Sequence, residues 1–148
     1  MRHIIHERLG DSELAGAVVV ADGSGLSQDN RITAAMMTAW LASFANDSRL
    51  GPLLIDSLAI AGESGTLKKR YSKVNLYGAT VQAKTGYINR VSCLSGFVTM
   101  PDGRRRTFSV LVNGLKADCI SQAKQLQDQV VAAIAEDMAA STVHLGGD

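Results

Sequence analysis

Cysteine is scarce in this sequence. The two present, Cys93 and Cys119, have no metal-ligand spacing and no disulfide framework, so two buried or half-buried free thiols are expected. No apolar run approaches the length of a membrane span. Net charge is also nearly absent, at +1, which removes the electrostatic case for a nucleic-acid partner. The one basic run, Arg104-Arg105-Arg106, follows Pro101-Asp102-Gly103 and contains no aromatic residue, so it reads as a solvated hairpin turn rather than a phosphate-binding patch. The histidines, His3, His6 and His144, lie near the two ends and make no histidine–acid pair, so surface positions are expected, with no metal and no cofactor. The start, MRHIIHERLG, is positively charged but lacks a following apolar stretch and a small-residue cleavage site. No export signal is read in it; the chain either stays inside the cell or is a piece of something longer.

What is present is a globular composition, 46% hydrophobic and 20% charged, in a chain long enough for one domain over 1–148. Residues 3–9 predict a short helix closed by Gly10, and Ala17 to Val20 a short strand running into Asp22-Gly23-Ser24-Gly25. A helix follows, capped by Asn30 or Thr33, with Ile32, Met36, Met37, Trp40, Leu41 and Phe44 as a broad apolar face. GPLLIDSLAI predicts a second short helix with Pro52 near its first turn, and AGESGTLKKR, residues 61–70, a loop. Strands are expected at 79–85, 91–100 and 106–113, with a turn at 101–103 between the last two. The third is followed by a helix over 118–140, whose stripe is Ile120, Ala123, Leu126 or Gln127, Val130, Val131 and Ile134, and by a frayed tail, 141–148. The fold class expected is α+β: a three-stranded antiparallel sheet, a C-terminal helix across it, and helices from the N-terminal half.

Lys84-Thr85-Gly86 interrupts the alternation Ala79, Val81, Ala83 at the end of the first of these strands. An ammonium, a hydroxyl and a backbone without Cβ suit a carboxylate-bearing peptide laid along a strand edge. Three residues alone favour the plainer reading, a solvent-facing Lys and Thr at a strand end with Gly starting a turn. The tripeptide gains weight from ADGSGLSQDNR before a helix, AGESGTLKKR next, and AKTGYINRVSCLSGFV after that. In this order and at these separations the segments, over roughly Ala15 to Ala135, resemble the C-terminal part of the low-molecular-mass penicillin-binding proteins of the D-alanyl-D-alanine carboxypeptidase/endopeptidase type, peptidase family S13.

The resemblance implies a partial DD-peptidase/β-lactamase-like domain from a serine acyl-transfer enzyme of peptidoglycan metabolism, working outside the cytoplasmic membrane and inhibited by β-lactams. Such enzymes use a Ser-x-x-Lys at a helix start, a Ser-x-Asn on a loop and Lys-Thr-Gly on a strand beside the cleft. By that resemblance Lys84 orients the substrate carboxylate and supports proton transfer, Thr85 bonds the carboxylate, Gly86 leaves room for the substrate backbone, and the Tyr87 N–H is an oxyanion donor. Asp22, Gly23, Ser24 and Gly25 become a turn bordering the cleft, with Asp22 and Ser24 structural. Tyr87 departs from the family, which has Ser or Thr there.

The other two elements do not carry over. Ser121-Gln122-Ala123-Lys124 is the only Ser-x-x-Lys, and it falls inside the closing helix, where it reads as a solvated flank. No Ser-x-Asn occurs; Tyr87-Ile88-Asn89 continues the Lys-Thr-Gly strand and cannot face it across a cleft. Ser24 and Ser27 lack the glycine pattern of a nucleophile elbow, and Glu63 reads as a solvated acid. The expectation is one wall of a peptidase site, engaging a peptidoglycan stem peptide or β-lactam only within a full-length domain and inert alone. The alternative is a truncated relative with a structural or peptide-binding role. A sheet or helix surface lacking its upstream neighbours predicts a homodimer, unless residues 1–20 fold back over it.

Overall fold

The computed structural model describes residues 2–10, 13–16 and 18–143. Four antiparallel strands form one sheet in chain order: β1 (Ala59–Ile60), β2 (Thr80–Ile88), β3 (Val91–Thr99) and β4 (Arg105–Val112). Helices α1 (Arg2–Leu9), α2 (Glu13–Gly16), α3 (Ala34–Ala45) and α4 (Leu50–Asp56) precede the sheet. The long α5 (Ile120–Val143) follows it, led in by a 3-10 turn at Ala117–Cys119.

Register assigns the two faces. Val81 pairs with Val98, Ala83 with Gly96, and Thr85 with Leu94, and these point to α5. Val131, Ala135 and Met138 of α5 close the main core over Val81, Ala83, Leu94, Val98 and Phe108. The intervening residues face the other way. There Phe97 is buried against Leu41 of α3 and Ile55 of α4. β3 is thus covered on both faces, which is why it is apolar at successive positions.

The α+β architecture with helix across sheet is as the sequence predicts, with several local differences. The sheet gains a fourth, two-residue strand, β1, hidden at the end of GPLLIDSLAI; pairing with Ala83 and Gln82 stabilises it, not local propensity. The expected strand at 17–20 does not form. Val19 makes a lone bridge with Arg31, and Ala17 lies outside the described residues. Within 61–70 a 3-10 turn, Gly65–Leu67, buries Leu67. β2 continues past Thr85 to Ile88, because Asn89–Arg90 forms the hairpin turn, with Arg90 at φ 63°. α5 extends to Val143, and 144–148, with His144, lie outside the described residues.

Thr33, not Asn30, caps α3: its side chain accepts from the Met36 N–H. The N-terminal segment folds onto α3 rather than the sheet, with Ile5, Ala15, Val18 and Met36 forming a satellite core beside Leu9 and Trp40. Arg8 secures it, donating to Ser43 and Asp47 and lying 3.7 Å from the centre of the Phe44 ring. The basic turn is neutralised locally, Arg104 by Asp102 and Arg106 by Asp137. No helix among the described residues is long and apolar enough to cross a membrane.

Candidate functional site: the open edge of β2

β1 meets β2 only at Gln82 and Ala83, apart from one further bond from the Ala61 N–H to the Val81 carbonyl. In an antiparallel ladder, alternate residues turn both backbone groups to the same neighbour. Since Val81 bonds towards β1, the N–H and C=O of Thr85 and Tyr87 point outward too, where no strand meets them. Lys84-Thr85-Gly86 therefore lies mid-strand, not at a strand end, and it borders the one stretch of β2 whose outer edge is open.

Lys84 is exposed on the face away from α5, and its Nζ curls to donate to the Thr85 carbonyl at 2.8 Å. Thr85 Oγ1 donates to Thr66 Oγ1 at 2.9 Å, which ties the edge to the 65–67 turn. Thr66 was not legible as a site neighbour, because nothing local in AGESGTLKKR distinguishes it from any other loop hydroxyl. Tyr87 presents a ring that is 57% exposed on the α5 side of the strand, beside the open edge.

Gly86 and Gly96 show two different reasons for glycine. At Gly96 an added Cβ would sit 2.2 Å from the Gln82 carbonyl oxygen and 2.6 Å from Ala83 Cα, so the close approach of β3 to β2 requires it. At Gly86 an added Cβ would meet only Cys93 Cβ, at 3.4 Å, an ordinary contact. The backbone there does not need glycine for its φ either. Nothing in the packing of the described residues asks for glycine at 86.

The Asp22-Gly23-Ser24-Gly25 turn is a compact carboxylate-centred knot. Asp22 accepts from Ser24 Oγ at 2.6 Å, Asn30 Nδ2 at 2.8 Å, and the N–H groups of Gly25, Leu26 and Ser27. Asn30 returns the bond by accepting from the Ala21 and Asp22 N–H groups. The donors, chiefly Ser24 and then Asn30, pull the Asp22 carboxyl from 3.8 down to about 2. Among the described residues no hydrogen bond or ion pair joins this turn to Lys84-Thr85-Gly86.

A lowered folded-state value means that the knot stabilises the fold above the unfolded-state value, and that this contribution fades as pH falls through the folded one. The Asp22 side-chain carboxyl should accordingly titrate with a midpoint near 2, with the Ser27 amide signal moving in the same window between about pH 4 and 2. An NMR titration measures both; a midpoint near 3.8 would mean that the knot does not hold in solution.

Ser121 and Lys124 are both exposed on α5, on the far side of the sheet from the Lys84 side chain. Glu63 is exposed. Cys93 and Cys119 are free and half-buried, and burial pushes both thiols up.

A helix-flanked antiparallel sheet presenting Lys-Thr-Gly on an open strand edge is a DD-peptidase/β-lactamase-like domain, present in part. The chain belongs to the D-Ala-D-Ala carboxypeptidase 3 (S13) family, whose sequence profile matches residues 3–136. It is 40% identical over 106 residues to a carboxypeptidase DacB of Mycolicibacterium smegmatis and 42% identical over 110 residues to a carboxypeptidase of Mycobacterium tuberculosis. Each match takes in 68% of this chain and 23% of the relative. The chain therefore spans about a quarter of the length of these curated relatives. Penicillin-binding protein 4 of Haemophilus influenzae, solved in complex with a β-lactam, superposes with a TM-score of 0.61 at 29% identity, over 78% of this chain and 29% of that one.

Proposed function

We propose that this chain is the C-terminal portion of a D-alanyl-D-alanine carboxypeptidase/endopeptidase domain and supplies the Lys-Thr-Gly wall of a site for serine acyl transfer on peptidoglycan stem peptides. The observation that carries the reading is Gly86: a glycine without a packing or conformational requirement, on a strand edge that no further strand covers and whose outward Thr85 carbonyl is met only by the Lys84 side chain. Such a position suits close approach of a second backbone. A stem peptide docked along this edge would take hydrogen bonds from Thr85 and Tyr87 main-chain groups. Its terminal carboxylate would draw the Lys84 ammonium off the Thr85 carbonyl and the Thr85 hydroxyl off Thr66. The Tyr87 N–H, aimed outward, is suited to a carbonyl oxygen on which negative charge develops.

The wall lacks what breaks the bond. Acyl transfer needs a nucleophile and a base within hydrogen-bond reach of each other and of the attacked carbonyl. Ser121 and Lys124 stand on the other side of the sheet from Lys84, and Ser24 is engaged with Asp22. The polypeptide alone is therefore inactive, and its role belongs to an extracytoplasmic domain that also brings a Ser-x-x-Lys. Incubation with a fluorescent β-lactam should give no covalent adduct by mass spectrometry, and a pentapeptide stem mimic should release no D-alanine. Stoichiometric labelling, mapped to a serine of this chain, would overturn the reading.

The sheet face opposite α5 also bears on assembly. Beyond α3 and α4 it carries Val91, Cys93 and Leu111, all partly exposed, next to Ile88. The N-terminal segment covers α3 instead, so it leaves this face open. A two-fold homodimer would bury it, consistent with the cost of about 25 cal/mol per Å² for wetting apolar area. Sedimentation equilibrium at micromolar concentration is expected to give twice 15.7 kDa; a mass that stays at 15.7 kDa on concentration removes the dimer.

A further inference from the structure

A second concave region lies away from the β2 edge. It is a cleft of about 750 Å³ between one flank of α5 and the segment 69–77. Its walls are locked together by Arg70. The guanidinium donates to Asp128 at 2.6 and 3.0 Å, to Gln127 Oε1 at 3.2 Å and to the Lys124 carbonyl at 3.0 Å. These bonds hold the segment around residue 70 beside the first turns of α5.

Charge in this cleft is unbalanced. Lys69, Lys73 and Lys124 line it, and among the described residues none of the three ammonium groups has an ion-pair partner. Of the lining carboxylates, Asp128 is taken up by Arg70. Glu136 sits 12 residues beyond Lys124, about 18 Å along the helix axis, and interacts with Tyr77. The first turn of α5, with Ser121 on the cleft wall, adds the positive end of a 24-residue helix to the lysine cluster.

A second, independent feature lies in the wall of the same cleft. Tyr71 lines the cleft, is only 7% exposed, and its hydroxyl has no hydrogen-bond partner. Asp128 acts on it electrostatically, but no partner stands in hydrogen-bond geometry to the hydroxyl. Burial, then Asp128, pushes the phenol far up, so the group stays a donor at any physiological pH. A buried donor without an acceptor costs about 1–3 kcal/mol. Tyr71 and Tyr77 also have positive φ, 66° and 52°, in a conformation bulky side chains rarely adopt.

We propose that this cleft is a binding site for a phosphoryl-bearing anion, held by Lys69, Lys73 and Lys124 with the Tyr71 hydroxyl as its neutral donor. A monocarboxylate needs one cation. Three unpaired ammonium groups, a helix N-terminus and a spare hydroxyl match the two charges and several acceptor oxygens of a phosphate. The inference is independent of the acyl-transfer reading, since none of these residues belongs to the β2 edge.

The test is an NMR titration of the intact chain with inorganic phosphate, glycerol phosphate oligomers, and acetate at matched ionic strength. Phosphate should give saturable shifts confined to 69–77 and the first turns of α5, and acetate should not. Lys73→Glu with Lys124→Glu, both at exposed positions, should weaken binding by at least about tenfold through charge reversal with the fold unchanged by circular dichroism. Tyr71→Phe should weaken it severalfold. Tighter binding of the oligomers assigns a phosphodiester polymer as the source, and tighter inorganic phosphate assigns a free phosphate. Absence of saturable shifts, equal response to acetate, or unchanged affinity in the double variant would overturn the proposal.

Discussion

Replacing Gly96 by alanine is expected to unfold much of the sheet, whereas the same change at Gly86 should leave stability within about 1 kcal/mol of the parent. At position 96 the new methyl would lie 2.2 Å from the Gln82 carbonyl oxygen and 2.6 Å from both Ala83 Cα and Cβ. Those are backbone atoms and a Cβ of the paired strand, so no side-chain rotation relieves the clash. β2 must move off β3 next to Lys84, at a cost above about 3 kcal/mol given that ordinary overpacking costs 1–3. At position 86 the methyl has space, with Cys93 Cβ at 3.4 Å. Urea denaturation of the two variants reads the contrast directly. Equal losses would mean that Gly86 serves the fold after all, and would remove the main support for substrate approach at that edge.

Arg70→Ala is expected to have the next largest effect, a loss of about 2–4 kcal/mol for a charge network with both partners mostly buried. Arg70 and Asp128 are 11% and 18% exposed, and the guanidinium also satisfies Gln127, which lies in the core. Its removal leaves the Asp128 carboxylate and the Gln127 carbonyl oxygen without their donor and frees the segment 68–77 from α5. Hydrogen exchange should show that segment losing protection before the β2–β3 ladder does. A loss below about 0.5 kcal/mol would place this pair with exposed ion pairs that contribute little.

Gln127 shows how far sequence reading could go. The helical stripe of α5 runs through position 126 or 127, and hydrophobicity argues for Leu126. The structure buries Gln127 instead and leaves Leu126 48% exposed. The amide is affordable in the core only because its Nε2 donates to Ser92, 35 residues back, while Arg70 donates to its Oε1. No periodicity in one helix can reveal partners on another strand and loop. The β1 strand is a parallel case, since two residues have no strand signal until Ala83 and Gln82 pair with them.

By itself the sequence determined the class of fold and the family, because alternation over 79–85, the continuous apolar run of β3 and the α5 stripe are local patterns, as are the ordered segments around Lys84-Thr85-Gly86. It also determined that Ser121 and Lys124 share the flank of a helix. Only the tertiary structure decided that the pairing of β1 with β2 ends at Ala83, leaving Thr85 and Tyr87 without a partner strand, and that the N-terminal segment covers α3 rather than the sheet. It alone brought Thr66 to Thr85, and the 69–77 segment to α5. The reason is physical: strand and helix periods are written in neighbouring residues, whereas edges, clefts and polar partners arise between groups 20 to 60 positions apart, at roughly the distances closed when loops are formed.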